Sequence, residues 1–184
     1  MPKAITFAQF HEAIGSAVTT WAAVEDAFCD LFTRLVICSV TGSGILASKP
    51  VGLWVVPSIF HSSNNLRSKT ELIDRIFRRL ITDEALIAEW ESIHDKSRRL
   101  YSRRNVMAHG HVWGNHEGAS CVAYALHADS RRMNLSYQQV CAATPSFRKY
   151  RDRIEALAIE ANKLLATRIQ SGSKDFSHQT RGGK

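Results

Sequence analysis

Hydrophobic residues recur at steps of three and four over four long stretches of the chain, a spacing typical of helices with one buried face. Thr6 and Thr144 are placed to cap the first and the last of these helices, and Gly110 is placed to end the third in a left-handed conformation. We therefore expect four long helices, at residues 7–40, 58–82, 83–109 and 144–170.

From His111 to Tyr137 the pattern changes, and apolar and polar residues alternate at steps of two, which predicts short strands or extended loops. Residues 43–57 are hydrophobic but contain Pro50 and Pro57, so we expect only a short helix and an irregular connection there. The predicted fold class is all-α. We expect an antiparallel up-and-down bundle of four to five helices, with a short β-hairpin insertion before the last helix.

The chain length of 184 residues is enough for one domain with a substantial core. We expect a single helical domain over residues 1–170. The segment 171–184 is rich in Gly, Ser and Lys, and we expect a disordered tail there.

Two charged residues interrupt the apolar faces of the predicted helices. Arg104 falls where the third helix should bury an apolar side chain, and Glu25 fills the position between Trp21 and Phe28 in the first helix. Because a buried ion without a partner costs several kcal/mol, we expect Glu25 to hold the Arg104 guanidinium. In the alternative interpretation Val24 continues the apolar face, Glu25 lies on its flank, and Arg104 extends its charge to solvent.

The formal net charge of +7 favours a polyanionic partner such as RNA, although solvated basic helix faces also explain such a charge. Lysine and arginine concentrate in residues 67–79, 96–104 and 148–153. Lys69 interrupts the apolar face of the second predicted helix, and with Arg103 and His111 it is a candidate substrate-binding residue.

No cofactor or metal is expected. The four cysteines contain no Cys-x-x-Cys spacing, which argues against a zinc module or a disulfide framework. His111, His116 and Cys121 are near one another in sequence, but they lack a second ligand pair at helical spacing. The sequence also lacks the pattern of a signal peptide or a membrane span, so we expect a cytoplasmic protein.

The stretch from Arg104 to Gly110, Arg-Asn-Val-Met-Ala-His-Gly, resembles the Arg-x4-His motif of the HEPN superfamily of helical nucleotide-binding and ribonuclease domains. Glu25, in a Trp-x-x-Val-Glu context, matches the acidic residue of that family's first helix. The order of elements is similar over about residues 7–170. The resemblance implies a homodimer in which two Arg and His sets meet in one cleft. It also implies metal-independent RNA cleavage in toxin–antitoxin or phage-defence systems.

The resemblance implies that Arg104 and His109 are catalytic, that Asn105 is the polar residue beside the arginine, and that Glu25 orients the arginine. Histidine suits proton transfer because its ordinary pKa, about 6.5, is near neutral pH. Arginine suits phosphate because its planar, permanently charged fork matches the phosphate oxygens. We therefore expect an endoribonuclease that acts through 2′-hydroxyl attack.

Two other interpretations use the same residues. The chain could be a non-catalytic helical module that binds a nucleotide, an RNA or a partner protein. Alternatively, the charges within the apolar faces only fix the register of a structural bundle, and His109 only caps the carbonyl groups at the end of its helix.

Overall fold

The computed structural model describes residues 4–41, 54–63, 65–115, 118–124 and 133–179. Within these ranges the chain is mostly helical and contains a small antiparallel sheet, as the sequence predicted. The elements are α1 (Phe7–Thr41), α2 (Val55–Ser62), α3 (Leu66–Leu80), α4 (Glu84–His109), β1 (His111–Asn115), β2 (Gly118–Tyr124), β3 (Met133–Ser136), α5 (Tyr137–Cys141) and α6 (Ala143–Gln179).

Helix α1 begins with a reciprocal cap. The Oγ1 atom of Thr6 accepts a hydrogen bond from the backbone N–H of Gln9 over 3.2 Å, and Oε1 of Gln9 accepts one from the backbone N–H of Thr6 over 3.0 Å. Two backbone donors at the helix start are thereby satisfied. The cap predicted at Thr6 is confirmed, and α1 ends at Thr41, close to the predicted end.

The single helix predicted over residues 58–82 is wrong, because the structure has two helices there, α2 and α3. Asn65 has an extended backbone, and its Oδ1 accepts a hydrogen bond from the backbone N–H of Ser68 over 2.8 Å. An asparagine side chain bonded in this way favours a new helix start over a continuous helix. Pro57 lies in the first turn of α2, where its missing N–H is tolerated.

Helix α4 spans the predicted residues. The Oδ1 atom of Asp83 accepts a hydrogen bond from the backbone N–H of Leu86 over 2.9 Å, which caps the helix start. The apolar face predicted for this helix is confirmed at four of its positions, where the side chains are buried: Trp90, Ile93, Ser97 and Leu100.

The extended insertion is a three-stranded antiparallel sheet in the order β1-β2-β3. Val122 of β2 lies opposite Leu135 of β3, and both are buried, at 0% and 3% exposure. One face of the sheet is therefore covered by the protein. A β-bulge interrupts the register of β1 and β2 between Trp113 and Gly114.

The region before the last helix differs from the prediction. Ser136 and Gln139 form a capping box that starts the short helix α5, which sequence reasoning did not anticipate. Helix α6 then begins at Ala143, so the predicted cap at Thr144 is wrong.

The far end of α6 also differs from the prediction. The helix continues through Gln179, beyond the end predicted near Gln170. Gly and Ser cost a helix at most about 1 kcal/mol each, so they do not by themselves terminate an established helix. The rest of the predicted tail, residues 180–184, lies outside the described residues.

The chain divides into two compact units, and helices α1, α4 and α6 contribute residues to both. Unit 1 consists of Met1–Asp26 and Asp95–Asp152 and contains the sheet. In its core the edge of the Trp21 ring meets the Phe147 ring, with centroids 4.9 Å apart. Phe10 contacts Tyr137 in the same core, at 5.5 Å between ring centroids.

Unit 2 consists of Ala27–His94 and Arg153–Lys184. Its core contains the stacked rings of Phe77 and Trp90, with centroids 5.5 Å apart. The indole N–H of Trp90 donates to Oδ1 of Asp74 over 2.8 Å, so the polar atom of this buried ring is satisfied. None of the helices in the described ranges is long and apolar enough to cross a membrane.

Candidate functional site

The predicted motif occupies the last two turns of α4 and the start of β1, all within unit 1. Val106 and Met107 are both 2% exposed and anchor this end of the helix in the core. Because successive residues of a helix point about 100° apart, their neighbours are directed toward other sides. Arg104 and Asn105 are half-buried, and His109 is exposed.

The guanidinium of Arg104 is held by its neighbour Asn105. Nη1 of Arg104 donates a hydrogen bond to Oδ1 of Asn105 over 3.2 Å. The Nε atom of Arg104 is buried and lacks a hydrogen-bond partner within the described part of the chain. The Arg104 side chain as a whole is half-buried, so an anion would reach the guanidinium through its other N–H groups rather than through Nε.

Glu25 makes a different contact from the predicted one. Its Oε1 atom accepts a hydrogen bond from the indole N–H of Trp21, one turn earlier in α1, over 2.9 Å. The ion pairs found among the described residues do not include one between Glu25 and Arg104.

Val24, with 0% exposure, continues the apolar face of α1, and Glu25 is only half-buried. The alternative interpretation of this helix, with Glu25 on the flank of the apolar face, therefore agrees with the observed burial.

His109 is the final residue of α4, where no following helical turn covers its side chain. The backbone N–H of Gly110 still bonds to the carbonyl of Val106 over 2.8 Å, and Gly118 is the glycine with a positive φ among the described residues. The left-handed stop predicted at Gly110 is therefore wrong. The chain instead passes from the helix directly into the extended β1 strand. Asn105 and His109 are four residues apart and share a helix face.

The other candidate binding residues fall in both units. Arg103 is half-buried on α4, and His111 is exposed at the first position of β1, paired with Ala123 of β2. Lys69 belongs to α3 in unit 2 and is only 7% exposed. Its Nζ atom lies 5.1 Å from the centroid of the Phe60 ring, a cation–π contact within unit 2.

Trp21 contributes to the candidate site in a way that sequence reasoning missed, because it was assigned only to the apolar face. It is 1% exposed, and its ring packs on Phe147 while its N–H orients the Glu25 carboxylate. The available signal was the spacing of four residues between an indole donor and a carboxylate, which places the two on the same helix face.

The arrangement supplies cationic and imidazole groups. The described residues contain no group of three or more His, Cys, Asp or Glu side chains that could hold a metal ion. The chemistry that these side chains offer by their nature is anion binding by Arg104 and proton transfer by His109.

Comparisons of the chain with protein-family models, with characterised proteins and with solved structures gave no match.

Proposed function

We propose that the protein is a metal-independent endoribonuclease of toxin or phage-defence type, as the resemblance of its Arg-x4-His stretch to the HEPN superfamily implies. The observation that carries the proposal is the state of Arg104. Its guanidinium is held by Asn105 on a half-buried side chain, at the helix end where His109 is exposed.

The reaction needs two groups from the protein. His109 acts as the general base or acid at neutral pH: it takes the proton from the 2′-hydroxyl or gives one to the leaving oxygen. The 2′-oxygen forms a bond to phosphorus as the bond from phosphorus to the 5′-oxygen breaks. Arg104 stabilises the negative charge that builds on the phosphate oxygens. DNA is not cleaved in this way because it lacks the attacking hydroxyl.

In this proposal the helices form an antiparallel up-and-down bundle, and two copies of the chain bring their Arg104 and His109 residues to a common cleft. The protein acts on cytoplasmic RNA, and for the toxin type of this function the protein partner would be a cognate antitoxin. The formal net charge of +7 supports a polyanionic substrate.

The test is cleavage of single-stranded and structured RNA in excess EDTA. We expect His109→Ala to lower the cleavage rate at least about 100-fold, the usual contribution of a general acid or base. The matched control is His11→Ala, since His11 is also an exposed helical histidine of unit 1. Absence of RNA cleavage above the level of the His109→Ala variant would refute the proposal.

A second substitution separates the role of the planar Arg104 guanidinium from the role of its positive charge. We expect Arg104→Lys to lower the rate about 100-fold, because a lysine keeps the charge but loses the planar fork. Arg148→Lys, at an exposed position of α6 in the same unit, is the control and should cleave at the normal rate. Equal rates for both variants would remove Arg104 from the mechanism.

A second candidate function is RNA or nucleotide binding without cleavage. The contact of Arg104 favours it, because the guanidinium is held by the neutral amide of Asn105 and not by the carboxylate expected to orient it. This function predicts salt-sensitive binding that survives His109→Ala and weakens with Arg104→Ala.

A further inference from the structure

The three-stranded sheet has one face that the protein does not cover. His111 and Trp113 lie on the same face of β1, since side chains alternate along a strand. Cys121 lies opposite Trp113, and Ser136 lies opposite Cys121. His111, Trp113 and Ser136 are exposed, whereas Val122 and Leu135 of the opposite face are buried. Asn134 of β3 is exposed on the same side, and Cys121 is half-buried. We call the row made of His111, Trp113, Cys121, Asn134 and Ser136 the outer face of the sheet.

The exposed ring of Trp113 is carried by a constrained backbone. Its side chain is 59% exposed, but its carbonyl accepts a hydrogen bond from Oγ of Ser120 over 3.1 Å, and the bulge lies directly after it. A Cβ atom at Gly114 would come within 2.2 Å of the carbonyl oxygen of Gly118, so the two strands approach closely there. β-Bulges fix the direction of a side chain in this manner. The indole is therefore presented to solvent from a defined position.

The charge around this face suits an anionic partner. The strands β1, β2 and β3 contain no Asp or Glu. The part of α4 that leads into β1 carries one lysine and four arginines between residues 96 and 104, and Arg98 and Arg99 are exposed. In the chain, a basic helix thus leads directly into a strand that carries an exposed aromatic ring. Cations and aromatic rings are the groups that single-stranded nucleic acids bind, through phosphates on the cations and bases on the ring.

The outer face also begins close to the proposed catalytic histidine. Trp113 follows His109 by four residues, which places their Cα atoms no more than about 14 Å apart. A base stacked on Trp113 would therefore lie within a few nucleotides of a phosphate at His109.

We infer that the outer face of the sheet binds single-stranded RNA by stacking an unpaired base on Trp113, beside the phosphate that is cleaved. This inference rests on the proposed function and specifies its substrate: single strands or loops rather than continuous duplex. Bases in a duplex are already stacked on one another, and their flat faces are not available to the indole. His111 offers a second ring and a hydrogen-bond donor on the same face.

The experiment measures binding without turnover. Fluorescence anisotropy in the His109→Ala background gives dissociation constants for three labelled probes: a single-stranded RNA, a single-stranded DNA of the same sequence, and the corresponding RNA duplex. The DNA also reports stacking in the protein with an intact His109, because it lacks the 2′-hydroxyl that cleavage requires.

We expect Trp113→Ala to weaken binding of both single strands by about 5- to 150-fold, the effect of losing one aromatic–base stack, and to leave duplex binding unchanged. Trp113→Phe should restore part of the affinity because a ring remains. The matched control is Trp54→Ala, which removes the other strongly exposed tryptophan of the described chain, 73% exposed and located in unit 2. The affinity of the Trp54→Ala variant for both single strands should match that of the parent protein.

The outcomes separate this inference from the proposed function. Unchanged single-strand binding by Trp113→Ala, together with RNA cleavage by the wild-type protein, overturns the stacking surface and leaves the ribonuclease in place. Weakened single-strand binding without any RNA cleavage by the wild type supports the surface and rejects the catalytic proposal. A change in the sedimentation coefficient of Trp113→Ala with unchanged RNA affinity overturns the inference in favour of contact between two copies of the chain.

Discussion

Arg104 donates a hydrogen bond from Nη1 to Oδ1 of Asn105, its neighbour on α4, over 3.2 Å. The amide therefore fixes one edge of the guanidinium, while the buried Nε–H lacks an acceptor within the described ranges. This relationship gives Asn105 a positioning role in the proposed reaction, because it sets the direction in which Arg104 presents its remaining donors.

Asn105→Ala should lower kcat for RNA cleavage about tenfold, since hydrogen bonds to charged groups contribute about 1.5–3 kcal/mol. Asn105→Asp keeps an acceptor for Arg104 and should retain more activity than the alanine variant. Steady-state kinetics on one RNA substrate measure both. Gln138→Ala removes an exposed amide of α5 and is the control. A normal kcat for Asn105→Ala would contradict the positioning role.

Gly118→Ala should destabilise the protein by about 2 kcal/mol. Gly118 has a φ of 141°, a conformation that costs other residues about 1–3 kcal/mol, and a Cβ there would lie 2.5 Å from the carbonyl oxygen of Ile5. That carbonyl also accepts the backbone N–H of Ala119 over 2.9 Å. Urea unfolding followed by circular dichroism measures the change.

The control for this substitution is Gly15→Ala. Gly15 lies in α1, and a Cβ there would meet no atom within 4 Å, so alanine should stabilise the helix by about 0.5–1 kcal/mol. Two substitutions of the same kind are thus expected to change the free energy of unfolding in opposite directions. Equal effects would mean that the backbone at Gly118 is not strained.

Arg153→Lys should destabilise the protein by about 1–2 kcal/mol, through loss of bidentate geometry rather than of charge. Nε and Nη2 of Arg153 donate to the two carboxylate oxygens of Glu89 over 2.8 and 2.9 Å, and Nη2 also donates to Ser92 over 2.9 Å. Arg148→Lys, at an exposed position of α6, should change the free energy of unfolding by less than about 0.5 kcal/mol. Thermal unfolding compares the two variants, and similar melting temperatures would show that the bidentate contact of Arg153 does not contribute to stability.

The thiol of Cys38 should make the stability depend on alkaline pH. Burial raises the pKa of Cys38, an effect that the charge of Arg34 partly offsets. The folded protein therefore keeps this proton to a higher pH than the unfolded chain, whose thiol has a pKa of about 8.5. The resulting stabilisation is complete below about pH 8.5 and is lost as the pH rises through the pKa of the folded thiol.

The measurement is the free energy of unfolding between neutral and alkaline pH, compared with Cys38→Ala. The variant should lose less stability over the alkaline part of the range, because the other titrating groups are common to both proteins. Parallel curves for the two proteins would show that the pKa of Cys38 is the same in the folded and unfolded states.

Local hydrogen bonds explain which parts of the fold could be predicted from the sequence. Thr6 and Asp83 cap α1 and α4 through contacts with residues three positions later, so the sequence fixes these helix starts within one turn. The missed break between α2 and α3 has the same kind of cause, because Asn65 bonds to Ser68. The run of serines and asparagines at residues 62–65 interrupts an apolar periodicity, and the sequence does not reveal which of the two patterns is more stable.

The candidate site was predictable only in part. The sequence determined that Arg104, Asn105 and His109 lie within two turns at one helix end, because their spacing and the helix period are local properties. It could not determine whether Val24 or Glu25 faces the core. These neighbours point about 100° apart, and only packing decides between them. The tertiary structure buries Val24 and exposes the ring of Trp113, because both outcomes depend on which distant surfaces meet.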